Sequence, residues 1–128
     1  MPEKRVPSDV VKAIFHYLGP KQRFPADVPK IHEIFYSICQ ESEFSSLCND
    51  FIFDTSKAFP YSATIRYALD RLQKANLLAC INPGLDEFEV SEELARTNPD
   101  SDIERLFNDE EKRLLRKASE IFSNQIRA

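Results

Sequence analysis

Two histidines and three cysteines carry the chemistry this 128-residue chain could use near neutral pH. His16 and His32 are its only side chains that ordinarily exchange a proton in that range. His16 lies between Phe15 and Tyr17, and His32 abuts a run of apolar residues at helical spacing. His32 and Cys39 stand two helical turns apart, about 10.5 Å along the axis. That is too far to share a metal ion or to form a Cys–His nucleophile pair. Cys39, Cys48 and Cys80 are separated by 9 and 32 residues, which is neither a disulfide framework nor a paired zinc-binding spacing. Each sits within an apolar pattern, so all three are expected to be reduced, buried and structural. The acids between Asp86 and Glu93 lack the fixed oxygen spacing of a calcium loop. Neighbouring acids on a hairpin also do not oppose each other across a cleft, as a glycosidase pair must. With 2 glycines in the whole chain, no glycine-rich loop is available to cradle a phosphate, and no nucleophile elbow or dinucleotide fingerprint occurs. The expectation is a chain without catalytic residues, cofactor or metal, and not an enzyme.

The elements that would position these residues are mostly helical. Ser8 and Asp9 open a first helix, in which Val10, Val11, Ile14, Phe15 and Leu18 recur at helical spacing before Gly19-Pro20 stops it. A loop is expected from Lys21 to Val28. A second helix follows Asp27, with Pro29 in its first turn and Ile31, Ile34, Phe35, Ile38 and Cys39 on one face. Phe44, Leu47 and Cys48 fit one short helical turn, and Phe51-Ile52-Phe53 reads as a short buried strand. Phe59-Pro60-Tyr61-Ser62 leads into a third helix that turns Ile65, Ala68, Leu69, Leu72 and Ala75 inward and ends near Asn76. A hairpin over 77–90 comes next, with turn chemistry at 82–86 and Phe88 and Val90 alternating with Glu87 and Glu89. Ser91 caps a short helical turn. Both Ser101 and Asn108 then offer helix starts, leaving residues 102–126 as one helix or two. The fold class is α+β and mainly helical, a single domain over 1–128 with a small antiparallel sheet and a long C-terminal helix.

Phe59-Pro60-Tyr61-Ser62 entering a helix, followed by Leu77-Leu78 and a hairpin, resembles winged-helix-like modules of bacterial regulators, antitoxins and phage-defence proteins. The resemblance covers about 29–95, with a helical extension at about 101–127, and implies a small sheet whose hairpin is the wing. It departs from a helix-turn-helix in that at least a dozen residues separate any helix before Cys48 from the one near Ser62, against three or four in that motif.

Charge is distributed unevenly along the chain, whose net charge is −4. Residues 57–78 carry Lys57, Arg66, Arg71 and Lys74 against Asp70, whereas 79–103 carry seven acids and Arg96. The four cations are candidate contacts for DNA phosphates or for an acidic partner surface. Asp86, Glu87 and Glu89 would repel DNA where a wing usually offers Lys or Arg. Among the ten phenylalanines, Phe15, Phe35, Phe53, Phe88 and Phe122 fit the core. Phe24, Phe44, Phe51 and Phe59 fall in loops or poorly defined segments, where they either plug the core's edge or anchor a partner. The stripe Leu114, Leu115, Ala118, Ile121, Phe122 and Ile126 is a candidate oligomer interface, the alternative being its own domain's core. No apolar run approaches the roughly 20 residues of a membrane span, and Met-Pro-Glu-Lys-Arg lacks a signal peptide's apolar stretch, so a cytoplasmic setting is expected. These readings converge on a non-catalytic regulatory or assembly module acting through protein contact or self-association. A winged-helix DNA-binding transcriptional regulator is the alternative.

Overall fold

The computed structural model describes residues 6–81, 84, 86–96 and 102–127. The expected turn at 82–86 falls largely outside these residues, as does the expected helix start at Ser101.

Helix α1 (Pro7–Leu18) begins one residue earlier than its polar signals suggest. Pro7 takes the first helical position, and the Asp9 carboxylate reaches back to accept the Val6 N–H at 2.8 Å. Strand β1 (Arg23–Pro25) follows, then α2 (Val28–Gln40), whose Asp27 cap accepts the Lys30 N–H. A 3-10 turn over Ser42–Phe44 runs into the short α3 (Ser45–Cys48), and a loop leads to α4 (Ala63–Lys74). The Ser62 hydroxyl caps α4 through the Ile65 N–H. Asn76, at φ 60, ends it in the left-handed region, with the Leu77 N–H returning to the Leu72 carbonyl as a helix-terminating bond. Ala75, expected inward, is exposed at this end. The hairpin strands β2 (Leu78–Ile81) and β3 (Glu87–Val90) are followed by α5 (Glu92–Ala95), α6 (Asp102–Leu106) and α7 (Asp109–Ile126). The C-terminal region is therefore two helices. Asn108 and Glu111 form a reciprocal capping box that restarts the chain as α7.

The sheet is antiparallel in the order β1-β3-β2, so β3 is central. Its third strand is Arg23–Pro25, inside the expected loop, while Phe51–Phe53 forms no strand. Phe24 opposite Phe88 explains this choice, because β1 delivers an apolar side chain to the core between exposed Arg23 and Pro25. A proline is tolerated on an edge strand, where its missing N–H interrupts no inner ladder.

Helix α1 is the hub, touching α3, α4, α5, α6, α7 and β3. Phe15, Phe24, Phe35 and Phe122 meet at its centre with ring centroids 5.3–6.1 Å apart where they pair. These edge and offset geometries favour aromatic attraction beyond simple burial. Leu114, Leu115, Ala118, Phe122 and Ile126 are buried in this same core and Ile121 is half-buried. The terminal stripe therefore packs on its own domain, against α1, α2 and β1. Arg127 seals the arrangement by donating to the Arg23 carbonyl on the outer edge of β1. Among the described residues no helix is long and apolar enough to cross a membrane.

Candidate functional site

The loop between α3 and α4 is the least core-like part of the described chain, and it starts from a covalent joint. Cys39, at the end of α2, is disulfide-bonded to Cys48, the last residue of α3. This corrects the expectation of three reduced thiols. The turn between the two helices brings both ends together at a Cα separation of 5.5 Å, within the range a disulfide requires. Both cysteines are half-buried, and Cys80 takes no part in a disulfide.

From this joint the Phe51 N–H bonds back to the Cys48 carbonyl at 3.0 Å. Phe51 stacks on Phe53 with centroids 6.1 Å apart, and Phe53 meets Tyr36 of α2 edge-on at 5.2 Å. In extended chain, side chains alternate sides, so Ile52 is directed away from its two neighbours and is 81% exposed. Asp54 and Tyr61 then pair through two backbone bonds of 2.7 and 3.0 Å, closing a protruding turn. Within it the Asp54 carboxylate accepts both the Ser56 hydroxyl and the Ser56 N–H. Those bonds, hydroxyl first, hold the Asp54 carboxyl below its usual pKa.

The returning limb rests on His32. Its imidazole is fully buried, stacks against Tyr61 at 5.1 Å and meets Phe59 edge-on at 5.3 Å. His32 Nδ1 accepts the Ser62 N–H at 3.0 Å, so the proton of the neutral ring resides on Nε2. That atom is buried and finds no hydrogen-bond partner. Burial first, and the Arg66 charge second, push the His32 pKa below its ordinary value. The ring is a neutral strut between α2 and the start of α4. His16 has a comparable structural role, with Nδ1–H donating to the Leu94 carbonyl at 2.7 Å and tying α5 to α1.

Helix α4 continues from the loop and carries three of the four expected contact cations on its exposed face. Arg66, Asp70, Lys74, Tyr67 and Arg71 fall, in that angular order, within an arc of about 140° at helical periodicity. Asp70 lies 3.6 Å from Arg66 in an exposed ion pair. Arg71 donates to the Tyr67 hydroxyl at 3.1 Å and covers its ring. Lys57 is also exposed but rides on the loop. Two shallow grooves flank the helix. One, about 330 Å³, has Ala68, Leu72 and Leu77 against Val6 and Lys12; the other, about 360 Å³, has Leu69, Gln73 and Cys80 against Val28 and Phe88. At the sheet, Glu89 is paired with Arg23 across the strands at 2.9 Å, and Asp86 is exposed.

The aromatic residues divide cleanly. Phe24 and Phe44, expected in loops, are core residues, whereas Phe51, Phe53 and Phe59 stay half-exposed. Tyr36, Ile52 and Tyr67 were not singled out by spacing. The signal for Ile52 is its place in Phe-Ile-Phe, where one member of an alternating triplet must face water if the segment lacks a strand partner. Among the described residues no three His, Cys, Asp or Glu side chains lie close enough to hold a metal ion. What the arrangement can do is bind: an aliphatic tip on an aromatic base, beside a helix of mixed charge. No family model matches the chain, and no curated protein or solved structure is significantly similar to it.

Proposed function

We propose that this domain is a non-catalytic interaction module that anchors a protein partner on the loop from Phe51 to Tyr61. One observation carries the reading: Ile52 is 81% exposed on the outgoing limb of a loop that aromatic stacking, a backbone bridge and a disulfide hold in shape. Aromatic anchors with a pre-set backbone lose little conformational entropy on docking. Exposed Lys57 and the α4 cations at the loop's flank favour a partner with an acidic rim. A regulatory or assembly role fits such a contact, and so does a cytoplasmic setting. In the cytoplasm the Cys39–Cys48 bond would be a reversible one, because reducing systems keep most thiols there unpaired.

The element order, with sheet order β1-β3-β2 and α4 immediately before the hairpin, supports a winged-helix reading of the scaffold. It also supports the second function, DNA recognition through α4, for which Arg66, Arg71 and Lys74 would be the contacts. Three features weigh against that alternative. Asp70 lies amid the cations, acids occupy the hairpin, and an apolar loop would meet the phosphate backbone beside α4. Neutralising phosphates needs unpaired cations on a continuous positive face.

The test is paired capture from the native host using wild type, Ile52→Asp and the Arg66→Ala, Arg71→Ala double variant, with and without nuclease. The proposal expects a protein that Ile52→Asp loses and the double variant retains after nuclease. Selection of a defined duplex that only the double variant loses would replace it with the DNA reading.

A further inference from the structure

We infer that the Cys39–Cys48 bond is a reversible redox gate on the Phe51–Phe53 face of the loop, a control that rests on the interaction role proposed above. The bond sits at the upstream joint of that face, whose far end rests on Tyr36 of α2 through Phe53. Cys48 is the last residue of α3, its carbonyl accepts the Phe51 N–H, and Phe51 in turn stacks on Phe53. Helix α3 has four residues, far fewer than a helix needs to persist without tertiary support. Burial of Leu47 holds the body of this helix, and the link to α2 adds a covalent tie at its last residue.

Reduction would act locally because other contacts hold both sides of the joint. Upstream, Phe44 and Leu47 are buried in the core and Glu43 pairs with Lys117 of α7 at 2.9 Å. Downstream, the Asp54–Tyr61 bridge and the His32–Ser62 bond keep the returning limb in place. Between these anchors the backbone of 49–52 is tied through Cys48 and the Phe51 N–H bond to its carbonyl, while Phe53 rests on Tyr36. Both cysteines are half-buried, so a dithiol from solvent can reach the pair. Its thiolate attacks one sulfur and breaks the S–S bond, forming a mixed disulfide while the other protein sulfur leaves as thiolate. The second thiol of the reductant then displaces the first cysteine. Two electrons pass to the protein, Cys39 and Cys48 end as thiols, and the dithiol ends as its own disulfide. Oxidised, the domain presents Ile52 on a fixed aromatic base; reduced, the base slackens and the docking surface is lost.

Amide hydrogen exchange tests the gate without a partner. In the full chain carrying Cys80→Ser, thiol titration should find no reactive thiol before dithiothreitol treatment and two after it. At labelling times too short for global unfolding to contribute, exchange of peptides covering 47–53 should then accelerate about tenfold, while those from α1, α4 and α7 show no change. The Cys39→Ser, Cys48→Ser variant should reproduce the reduced pattern. Two reactive thiols before treatment, unchanged exchange at 47–53, or equal acceleration throughout the domain would each overturn the gate. Failure of Ile52→Asp to alter partner capture, with the local exchange difference intact, would instead remove the interaction reading and leave the redox response standing.

Discussion

Acidification from about pH 7.5 to about pH 5 should destabilise this domain through one side chain, His32. The fully buried ring accepts the Ser62 N–H at Nδ1, so protonation sets donor against donor and places a charge among Tyr61, Phe59 and the interior. The folded state therefore holds its pKa below the ordinary 6.5, whereas the unfolded chain takes up a proton near that value. Above pH 6.5 both states are neutral and the full stability is present. As pH falls below it, the unfolded state binds the extra proton and stability declines until the folded pKa is reached. One proton sets the ceiling at about 1.4 kcal/mol per pH unit, or roughly 2 kcal/mol by pH 5. For a domain of this size that lowers Tm by at most about 6–10 °C. The Asp54, Glu104 and Glu110 carboxyls are held below their ordinary 3.8 and 4.5 by hydrogen bonds to Ser56, Lys112 and Arg113. Their contributions persist above those values and fall away only at lower pH. Thermal melts at half-unit pH steps should be compared between wild type and His32→Asn, whose side-chain oxygen can still accept the Ser62 N–H. The variant should start less stable for want of the ring, yet lose less on acidification. His16 is present in both proteins, so the difference isolates His32. A flat wild-type profile, or equal slopes in the two proteins, refutes the reasoning.

Phe122→Ala removes a ring shared by Phe15, Phe24 and Phe35 and should cost about 3–5 kcal/mol, read from urea unfolding midpoints at unchanged m-value. Asn108→Ala breaks the capping box that restarts the chain at α7 and should cost about 1 kcal/mol, with a small drop in helical circular dichroism before the main transition. The Cys39→Ser, Cys48→Ser variant should lose about 2–3 kcal/mol, the constraint that closing so short a loop places on the unfolded chain. Its melting curve should match that of wild type in dithiothreitol; a wild type insensitive to reductant contradicts it.

Much of the fold was legible because its signals are local. Asp27, Ser62, Ser91 and Asn108 each accept a backbone N–H at a helix start, and Asn76 adopts the left-handed geometry its position implied. Strand β1 was hidden because three residues with one apolar side chain and a proline carry no period, and only pairing with β3 defines them. Phe51-Ile52-Phe53 misled for the opposite reason: it alternates like a strand but has no partner strand. The disulfide depends on the chain turning back between α2 and α3, which a separation of nine residues does not encode. The face of α7 was read correctly, but an apolar stripe is the same whether it meets its own core or another chain. Of the candidate site, the cations of α4 were readable from spacing. The exposed Ile52 emerged only once the strand was gone.

The last helix covers what the first one exposes, and that has a consequence in time. Helix α1 and strand β1 present Phe15 and Phe24 early in the chain, yet the ring that meets both edge-on, Phe122, follows about a hundred residues later. At synthesis rates of roughly 5–20 residues per second, that interval is about 5–20 s. Throughout it the aromatic pair lacks its cover, and the core closes only once α7 has emerged. A slowed stretch of translation before Asn108 would lengthen the period in which that surface is open to chaperones or to a neighbouring chain.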